Sequence, residues 1–325
     1  MMPVTMPDHR SFPANPLANT PVPPAPHAGD PGQSRTAHWQ AIRAGLDAEL
    51  GGPFTLDALT GPRHTPDAAD DLLDDSGSPA GWMIVQRRRG HRHSIDDVLT
   101  AWFALRHQQD VTRHLDLGTG IGTVGLLVLW GLGPSATIVG VEAQEISFRL
   151  WHANLTGNNL LDRVHAIAGD LRDLNLGETF RLVTGSPPYF PPGTGVLPDD
   201  PQKAHARFEL RGDVRDYAIT AKRHLAPDGV FVFCFPYPQK HRALDAARDA
   251  GLAVVAILDV IPRATLPPLF SLFACRHAES VPEPGHTTTD TLTVRHENGR
   301  LTAAMATVRR GFGFNDSPAH GGHSG

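Results

Sequence analysis

The sequence has little cysteine: Cys234 and Cys275 are the only two among 325 residues. Two cysteines can build neither a disulfide framework nor a four-cysteine zinc site, so the sequence predicts a protein of the reducing cytoplasm. Apolar runs are also short, and none approaches the roughly 20 residues that span a bilayer. The first 26 residues lack the apolar core of a secretory signal. We therefore expect no membrane partner and no secretion.

Charge and proline are distributed unevenly along the chain. The net charge is −5, but residues 1–79 hold 10 acidic and 4 basic residues, together with 13 of the 29 prolines. Proline fixes φ and removes a backbone donor, which favours extended chain over helix or sheet. Only residues 36–50 have apolar side chains at helical spacing. The sequence predicts a Pro-rich, acidic, largely disordered extension over 1–79, one domain over 80–310 and a disordered tail over 311–325.

From residue 82 onward, strand and helix patterns alternate, which predicts an α/β fold with a doubly wound, mostly parallel sheet. One of the strand-to-helix junctions reads Asp116-Leu117-Gly118-Thr119-Gly120-Ile121-Gly122. Glycines there let the backbone approach a ligand, and Glu142, 20 residues beyond Gly122, can hold the hydroxyls of a ribose. Gly120, Gly122 and Gly125 also satisfy the dinucleotide pattern, so the glycines indicate a nucleotide-type cofactor without identifying it.

A second motif, Ser186-Pro187-Pro188-Tyr189-Phe190, follows a short predicted strand. The two prolines stiffen the backbone and leave carbonyl groups without local N–H partners. An amino group entering there could donate to the Ser186 hydroxyl and to a proline carbonyl, which would orient its lone pair toward an electrophile. Tyr189 offers a flat face on which a planar substrate could stack.

The combined motifs resemble class I S-adenosylmethionine-dependent N-methyltransferases whose fourth motif reads (Asn/Asp/Ser)-Pro-Pro-(Tyr/Phe). The stretch from Gln86 to Leu99 is similar to the corresponding part of bacterial tRNA (valine) adenine-N6 methyltransferases. The resemblance covers about residues 82–276 and implies a Rossmann-like, seven-stranded sheet, S-adenosylmethionine as cofactor and tRNA as partner. It implies no metal.

The resemblance also assigns roles to individual residues. It implies that the turn carrying Asp116, Gly118, Thr119, Gly120 and Gly122 holds the methionine part of the cofactor. Glu142 would hold the ribose, Asp170 and Leu171 the adenine, and Asp96 would help to close the pocket. Ser186, Pro187, Pro188 and Tyr189 would be the catalytic residues that hold the target amine, and Phe190 beside them would bind the substrate.

Other substrates remain open at this point. The adenine-N6 enzymes usually have Asn in place of Ser186, whereas Ser is common in cytosine-N4 DNA methyltransferases, which tend to carry a sizeable target-recognition region. Protein glutamine methyltransferases of the release-factor type use the same loop. A small-molecule methyltransferase and a non-catalytic cofactor-binding scaffold are further alternatives.

The densest basic cluster is Arg87, Arg88, Arg89 and Arg92, interspersed with His91 and His93. Such a cluster is suited to neutralising phosphates, so we expect it to bind the substrate RNA, although a solvated hairpin is the simpler interpretation. His91 and His93 lack a nearby third ligand, which argues against a metal site. The sequence does not predict the oligomeric state.

Overall fold

The computed structural model describes residues 34–63, 73–281 and 286–315. Its strands are β1 (Phe54–Ala58), β2 (Met83–Arg87), β3 (Arg113–Leu117), β4 (Thr137–Glu142), β5 (Val164–Ala168), β6 (Phe180–Gly185), β7 (Leu225–Pro236), β8 (Leu252–Arg263), β9 (Phe270–His277) and β10 (Thr288–Arg295). Its α-helices are α1 (Arg35–Leu50), α2 (Ile95–His107), α3 (Thr123–Leu132), α4 (Glu145–Gly157), α5 (Pro201–Arg207), α6 (Val214–His224), α7 (Lys240–Asp249) and α8 (Ala303–Gly311).

The central sheet has the strand order β10-β8-β9-β7-β6-β3-β4-β5. Only β9 runs against its neighbours β7 and β8, so the predicted doubly wound, mostly parallel α/β sheet is confirmed. The sheet in the described residues has eight strands rather than seven, because β10 adds to the edge beside β8 in parallel register. Because β3, β4, β5 and β6 run parallel, their carboxyl ends lie at the same end of the sheet, where open α/β sheets bind ligands.

Alternating side chains of the strands fill two cores, one on each face of the sheet. Along β7, Val232 belongs to the core beneath α2 and α3, whereas Phe231 and Phe233 belong to the core beneath α6 and α7. Phe233 stacks on Phe231 at a centroid distance of 4.9 Å and on Phe273 of β9 at 5.0 Å. This period of two, with both faces buried, explains the continuous apolar run of the strand.

The predicted disordered extension over residues 1–79 is wrong for residues 34–63, which fold against the domain. The Ser34 side chain caps α1 by accepting a hydrogen bond from the Ala37 amide at 3.2 Å. Trp39, Ile42 and Leu46 are buried on one face of α1, as their helical spacing indicated. Further on, β1 pairs antiparallel with β2. Residues 1–33 and 64–72 lie outside the described part of the chain.

Proline content misled the prediction because the apolar face of α1 finds a partner far along the chain. The indole of Trp39 lies so close to Gly157 in α4 that any side chain at position 157 would overlap it. The Asn154 side chain of α4 accepts from the Val85 amide at 2.7 Å, and the Asn158 side chain accepts from the Met83 amide at 2.9 Å. Those bonds attach β2 to the domain.

The sequence Glu297-Asn298-Gly299 forms a turn, in which the His296 amide donates to the Arg300 carbonyl at 2.9 Å. The chain turns back on β10 here, since Leu301 pairs with Arg295 in an antiparallel bridge, and α8 follows directly. Thr302 caps α8, and Met305 and Val308 are buried beneath it. The predicted tail lies mostly outside the described residues. Among the helices in the described ranges, none has the length and apolar character needed to cross a membrane.

Replacing Trp39 with alanine should lower the free energy of unfolding by about 3–5 kcal/mol, because it leaves a cavity against α4. Urea unfolding followed by circular dichroism measures this change. Gln40→Ala, on the exposed side of the same helix, is the matched control and should change the value by less than about 0.5 kcal/mol. Equal stabilities of the two variants would contradict the packing role of α1.

Candidate active site

A cleft of about 930 Å³, counted with its opening to solvent, lies at the carboxyl edge of the sheet. Most of the residues that line it come from the ends of β3, β4, β5 and β6, with others from α2, α5 and the chain before α6. The lining residues that the sequence had singled out are Asp116, Gly118, Thr119, Gly120, Glu142, Asp170, Leu171, Ser186 and Pro188.

The glycine turn after β3 depends on left-handed backbone conformations. Gly118, Gly120 and Gly122 have φ values of 61°, 62° and 96°, which other residues rarely adopt. A side chain at Gly118 would also overlap the Tyr217 hydroxyl. Gly122 is the N-cap residue of α3 and packs against Trp151 instead of lining the cleft. The turn therefore brings bare backbone to the cleft, and its last glycine serves packing.

Glu142 lies at the end of β4 opposite this turn. Its Oε2 accepts from the Gly120 amide and its Oε1 accepts from the Gln144 amide, both at 2.7 Å. Burial raises the pKa of Glu142, while these two backbone hydrogen bonds oppose the rise. Each oxygen of an ionised carboxylate can accept a second hydrogen bond. Glu142 can therefore still receive the hydroxyl groups of a ribose from the cleft.

A buried chain of hydrogen bonds supports the turn from below. Asp116 accepts from Thr184 of β6 at 2.6 Å and from Thr119 at 2.7 Å. Because the single proton of the Thr184 hydroxyl goes to Asp116, the Nε2 of His114, 2.7 Å from that hydroxyl, must be the donor in their contact. Burial lowers the pKa of His114 to about 3, which keeps the ring neutral.

Asp170 and Leu171 follow β5 and border the far end of the cleft. Arg172 binds Asp170 in a two-pronged ion pair, with Nε to Oδ1 at 2.9 Å and Nη2 to Oδ2 at 2.7 Å. Partial burial works against ionisation, but the Arg172 hydrogen bonds and charge outweigh it and hold the pKa of Asp170 below its usual value. The Asp170 carboxylate is therefore an ionised acceptor beside the buried side chain of Leu171.

The diproline loop follows β6 directly. The hydroxyl oxygen of Ser186 is buried, lines the cleft and has no hydrogen-bond partner among the described residues. Pro188 also lines the cleft, whereas Pro187 is buried behind it. Leaving a buried hydroxyl unpaired costs about 1–3 kcal/mol. A donor arriving in the cleft would satisfy it, which fits the amine-holding role predicted for this loop.

Tyr189 is tethered rather than free to swing. Its hydroxyl donates to Asp96 at 2.8 Å and lies 3.2 Å from the Cys234 sulfur. Its ring stands edge-on to Phe235, with centroids 5.9 Å apart at 86°. Burial, followed by the charge of Asp96, raises the pKa of Tyr189 well above its usual value, so the hydroxyl keeps its proton. Phe190 packs on Phe208 behind this ring.

The structure places Asp97, not Asp96, on the cleft. Asp96 lies one residue earlier in α2 and is occupied with Tyr189. Asp97 lines the cavity and accepts from the Ser94 amide at 3.0 Å as part of a capping box. Burial, and then the neighbouring charge of Asp96, raise the pKa of Asp97 well above its usual value. The motif identified the start of α2 but not which carboxylate faces inward.

The arginine cluster divides into two pairs. Arg87 forms an ion pair with Asp200 at 2.8 Å, and Arg92 forms one with Asp57 at 3.1 Å. Arg88 and Arg89 are exposed to solvent. Of these four arginines, only Arg88 and Arg89 are directly available for phosphate. Arg87 and Arg92 attach their segment to the start of α5 and to β1.

Helix α5 covers part of the cleft, and no sequence motif predicted this helix. His205 and Ala206 of α5 line the cavity, and the Nδ1 of His205 is buried without a partner among the described residues. His91 faces the same cavity from the segment before α2. Burial lowers the pKa of both histidines. Within the described ranges, no group of three or more His, Cys, Asp or Glu side chains could hold a metal ion.

The fold agrees with that of solved methyltransferases. A predicted O-methyltransferase from Agrobacterium tumefaciens aligns with a TM-score of 0.52 over 67% of this chain and 96% of its own, at 17% sequence identity. The glycine turn, Glu142 and the diproline loop meet at one end of the sheet. The protein is an S-adenosylmethionine-dependent methyltransferase of the class I fold.

The names of its sequence relatives specify a reaction more closely than the name of the structural relative does. The chain is 27% identical over 258 residues to a tRNA1(Val) (adenine(37)-N6)-methyltransferase of Dickeya chrysanthemi, covering 78% of this chain and 98% of that protein. The enzyme of the same name from Erwinia tasmaniensis is 24% identical over 234 residues, covering 71% and 91%. A third, from Actinobacillus pleuropneumoniae, is 25% identical over 183 residues, covering 56% and 75%. No protein-family model matches the chain.

The buried neutral His114 should make stability depend on pH. Its pKa is about 3 in the folded protein and 6.5 in the unfolded chain, so the unfolded state takes up a proton first as the pH falls. The contribution of the neutral His114 ring to the free energy of unfolding is fully present above pH 6.5. It is lost as the pH falls toward 3, by up to about 1.4 kcal/mol per pH unit.

His114→Gln should remove that part of the slope between pH 6 and pH 4.5 while keeping a donor for Thr184. Urea unfolding at a series of pH values measures it. His165→Gln, an exposed substitution on β5, serves as the control and should leave the slope as in the wild type. An unchanged slope in His114→Gln would refute the assignment of a buried neutral ring.

Proposed function

We propose that the protein transfers the methyl group of S-adenosylmethionine to an exocyclic amine of an RNA base, with adenine N6 in tRNA as the best match. The observation that carries the proposal is the buried hydroxyl of Ser186, which lines the cleft together with Pro188 and has no partner among the described residues. The names of the sequence relatives support the choice of tRNA and adenine.

The residues present fit the cofactor. The glycine turn from Gly118 to Gly120 offers close backbone to its methionine part, and Glu142 retains acceptor capacity for its ribose. Asp170 and Leu171 would hold the adenine, with an ionised acceptor for the amino group and an apolar wall for the ring. The cofactor supplies an electrophilic methyl group on sulfur.

The chain would act mainly by positioning. A target amine donates one hydrogen to the Ser186 hydroxyl and one to a proline carbonyl, which points the nitrogen lone pair along the line of methyl transfer. The new N–C bond forms as the S–C bond breaks, and S-adenosylhomocysteine and one proton are released. Since the lone pair is conjugated with the base, orientation and exclusion of water matter more than a strong base.

Tritium transfer from labelled S-adenosylmethionine tests the substrate class. The assay offers the protein bulk tRNA, DNA, ribosomes and cell-extract protein, with tRNA taken from cells lacking the protein. We expect label in tRNA, and nucleoside mass spectrometry should identify it as N6-methyladenosine. Label only in protein would favour the glutamine reaction, and label only in DNA would favour a cytosine-N4 reaction; either outcome contradicts the proposal.

The Tyr189 ring should be needed for transfer and not for cofactor binding. Tyr189→Ala removes the stacking surface, and we expect kcat/KM for tRNA to fall about 100-fold, near the upper end of the 1–3 kcal/mol of one stacked base. Calorimetry should show the Kd for S-adenosylmethionine nearly unchanged. Tyr189→Phe, which keeps the ring and loses the bond to Asp96, should retain most activity. A variant that lost cofactor affinity but kept turnover would show that the loop has another role.

The hydroxyl of Ser186 should contribute one hydrogen bond to the bound amine. Ser186→Ala is expected to lower kcat about tenfold, corresponding to about 1.4 kcal/mol, without lowering the melting temperature, because the substitution removes a buried hydroxyl that has no partner among the described residues. Ser186→Asn introduces the amide usual in the adenine-N6 family and should restore activity relative to alanine. Single-turnover kinetics with tRNA separates these effects from product release, and full activity in Ser186→Ala would argue against the clamp.

A further inference from the structure

Two arginines meet at the carboxyl ends of β8 and β10. Arg263 and Arg295 are direct partners in the parallel register of these strands, and both are exposed. Neither belongs to any ion pair between described residues. Like charges placed opposite each other destabilise a sheet. An arrangement of this kind is suited to an anion supplied from outside.

Beside these arginines lies an apolar groove of about 680 Å³. It is formed by the ends of β8, β9 and β10, the turn after β10, α8 and the start of α2. Its lining comprises Ile95, Val260, Pro262, Leu269, Phe270, Val294, Arg295, Leu301, Met305 and Arg309. Leu269 is 56% exposed and nearby Leu266 is 50% exposed. The groove thus combines an apolar floor with guanidinium groups.

The start of α2 links the groove to the diproline loop along the chain. Ile95, the first residue of that helix, lines the groove. The next residue, Asp96, accepts the hydrogen bond from the Tyr189 hydroxyl. The groove lies at the same end of the strands as the cleft, because β8 and β10 end there and β9 begins there.

We propose that this groove binds the RNA strand that carries the target base. Arg263, Arg295 and Arg309 would neutralise phosphates, and the apolar floor would receive a flanking base, as in other single-strand binding surfaces. The charge complementarity favours a polyanion over an apolar protein segment. The inference rests on the proposed function and adds where the RNA lies: on β10 and α8, beyond the seven strands implied by the family.

The test compares tRNA affinity in the double variant Arg263→Glu/Arg295→Glu with the wild type. Losing two phosphate contacts should weaken binding about 10- to 30-fold at 0.15 M salt and reduce the slope of log K against log salt by about 1.4 to 1.8. Fluorescence polarisation with labelled tRNA from cells lacking the protein measures both. The Kd for S-adenosylmethionine and the melting temperature should stay as in the wild type.

Arg276→Glu is the matched control. Arg276 lies near the end of β9, at the end of the strands opposite to the groove. It also belongs to no ion pair between described residues. Its variant should bind tRNA as the wild type does. Equal losses in both variants, or an intact salt slope in the double variant, would overturn the groove as the RNA surface. A change in oligomeric state with unaltered tRNA affinity would overturn it in favour of a second copy of the chain.

The proposed function fails separately from this inference. If the wild type methylates tRNA and the double variant binds and methylates it equally well, the groove is refuted and the reaction stands. If the wild type binds and methylates no RNA, the reaction and the groove are both refuted.

Discussion

The hydrogen bond from Thr184 to Asp116 joins the two strand ends on which the site is built. Asp116 opens the glycine turn, and Thr184 lies two residues before Ser186. Both side chains are buried, so water cannot replace the bond if it breaks. The buried His114 ring donates to the same Thr184 hydroxyl from the other side. The distance between the glycine turn and the Ser186 hydroxyl is therefore set inside the sheet, below the surface of the cleft.

Features that depend on the local chain could be predicted from the sequence. The positive φ values at Gly118 and Gly120 favour glycine, so the glycines in the sequence predict the turn. The buried period of β7 and the spacing of Trp39, Ile42 and Leu46 likewise identify elements without knowledge of their partners. The parallel order of the sheet then follows from alternating strands and helices.

Features that depend on distant partners could not. Whether Asp96 or Asp97 faces the cleft is decided by Tyr189, 93 residues further along the chain. Arg87 looked available for phosphate until α5 brought Asp200 to it. The spacing of the apolar residues indicated α1, but not that its apolar face packs on Gly157 of α4 and joins it to the domain. In each case the local pattern identified a residue of interest, and a long-range contact determined its role.

The contact between Tyr189 and Cys234 has a consequence for chemical probing of the protein. Burial raises the pKa of the Cys234 thiol to about 12, so almost none of it is thiolate at neutral pH, and the thiolate is the reactive form. Alkylating reagents and peroxide therefore meet an inert, buried sulfur. Resistance of Cys234 to modification would report that the Tyr189 ring and the packing around it are in place.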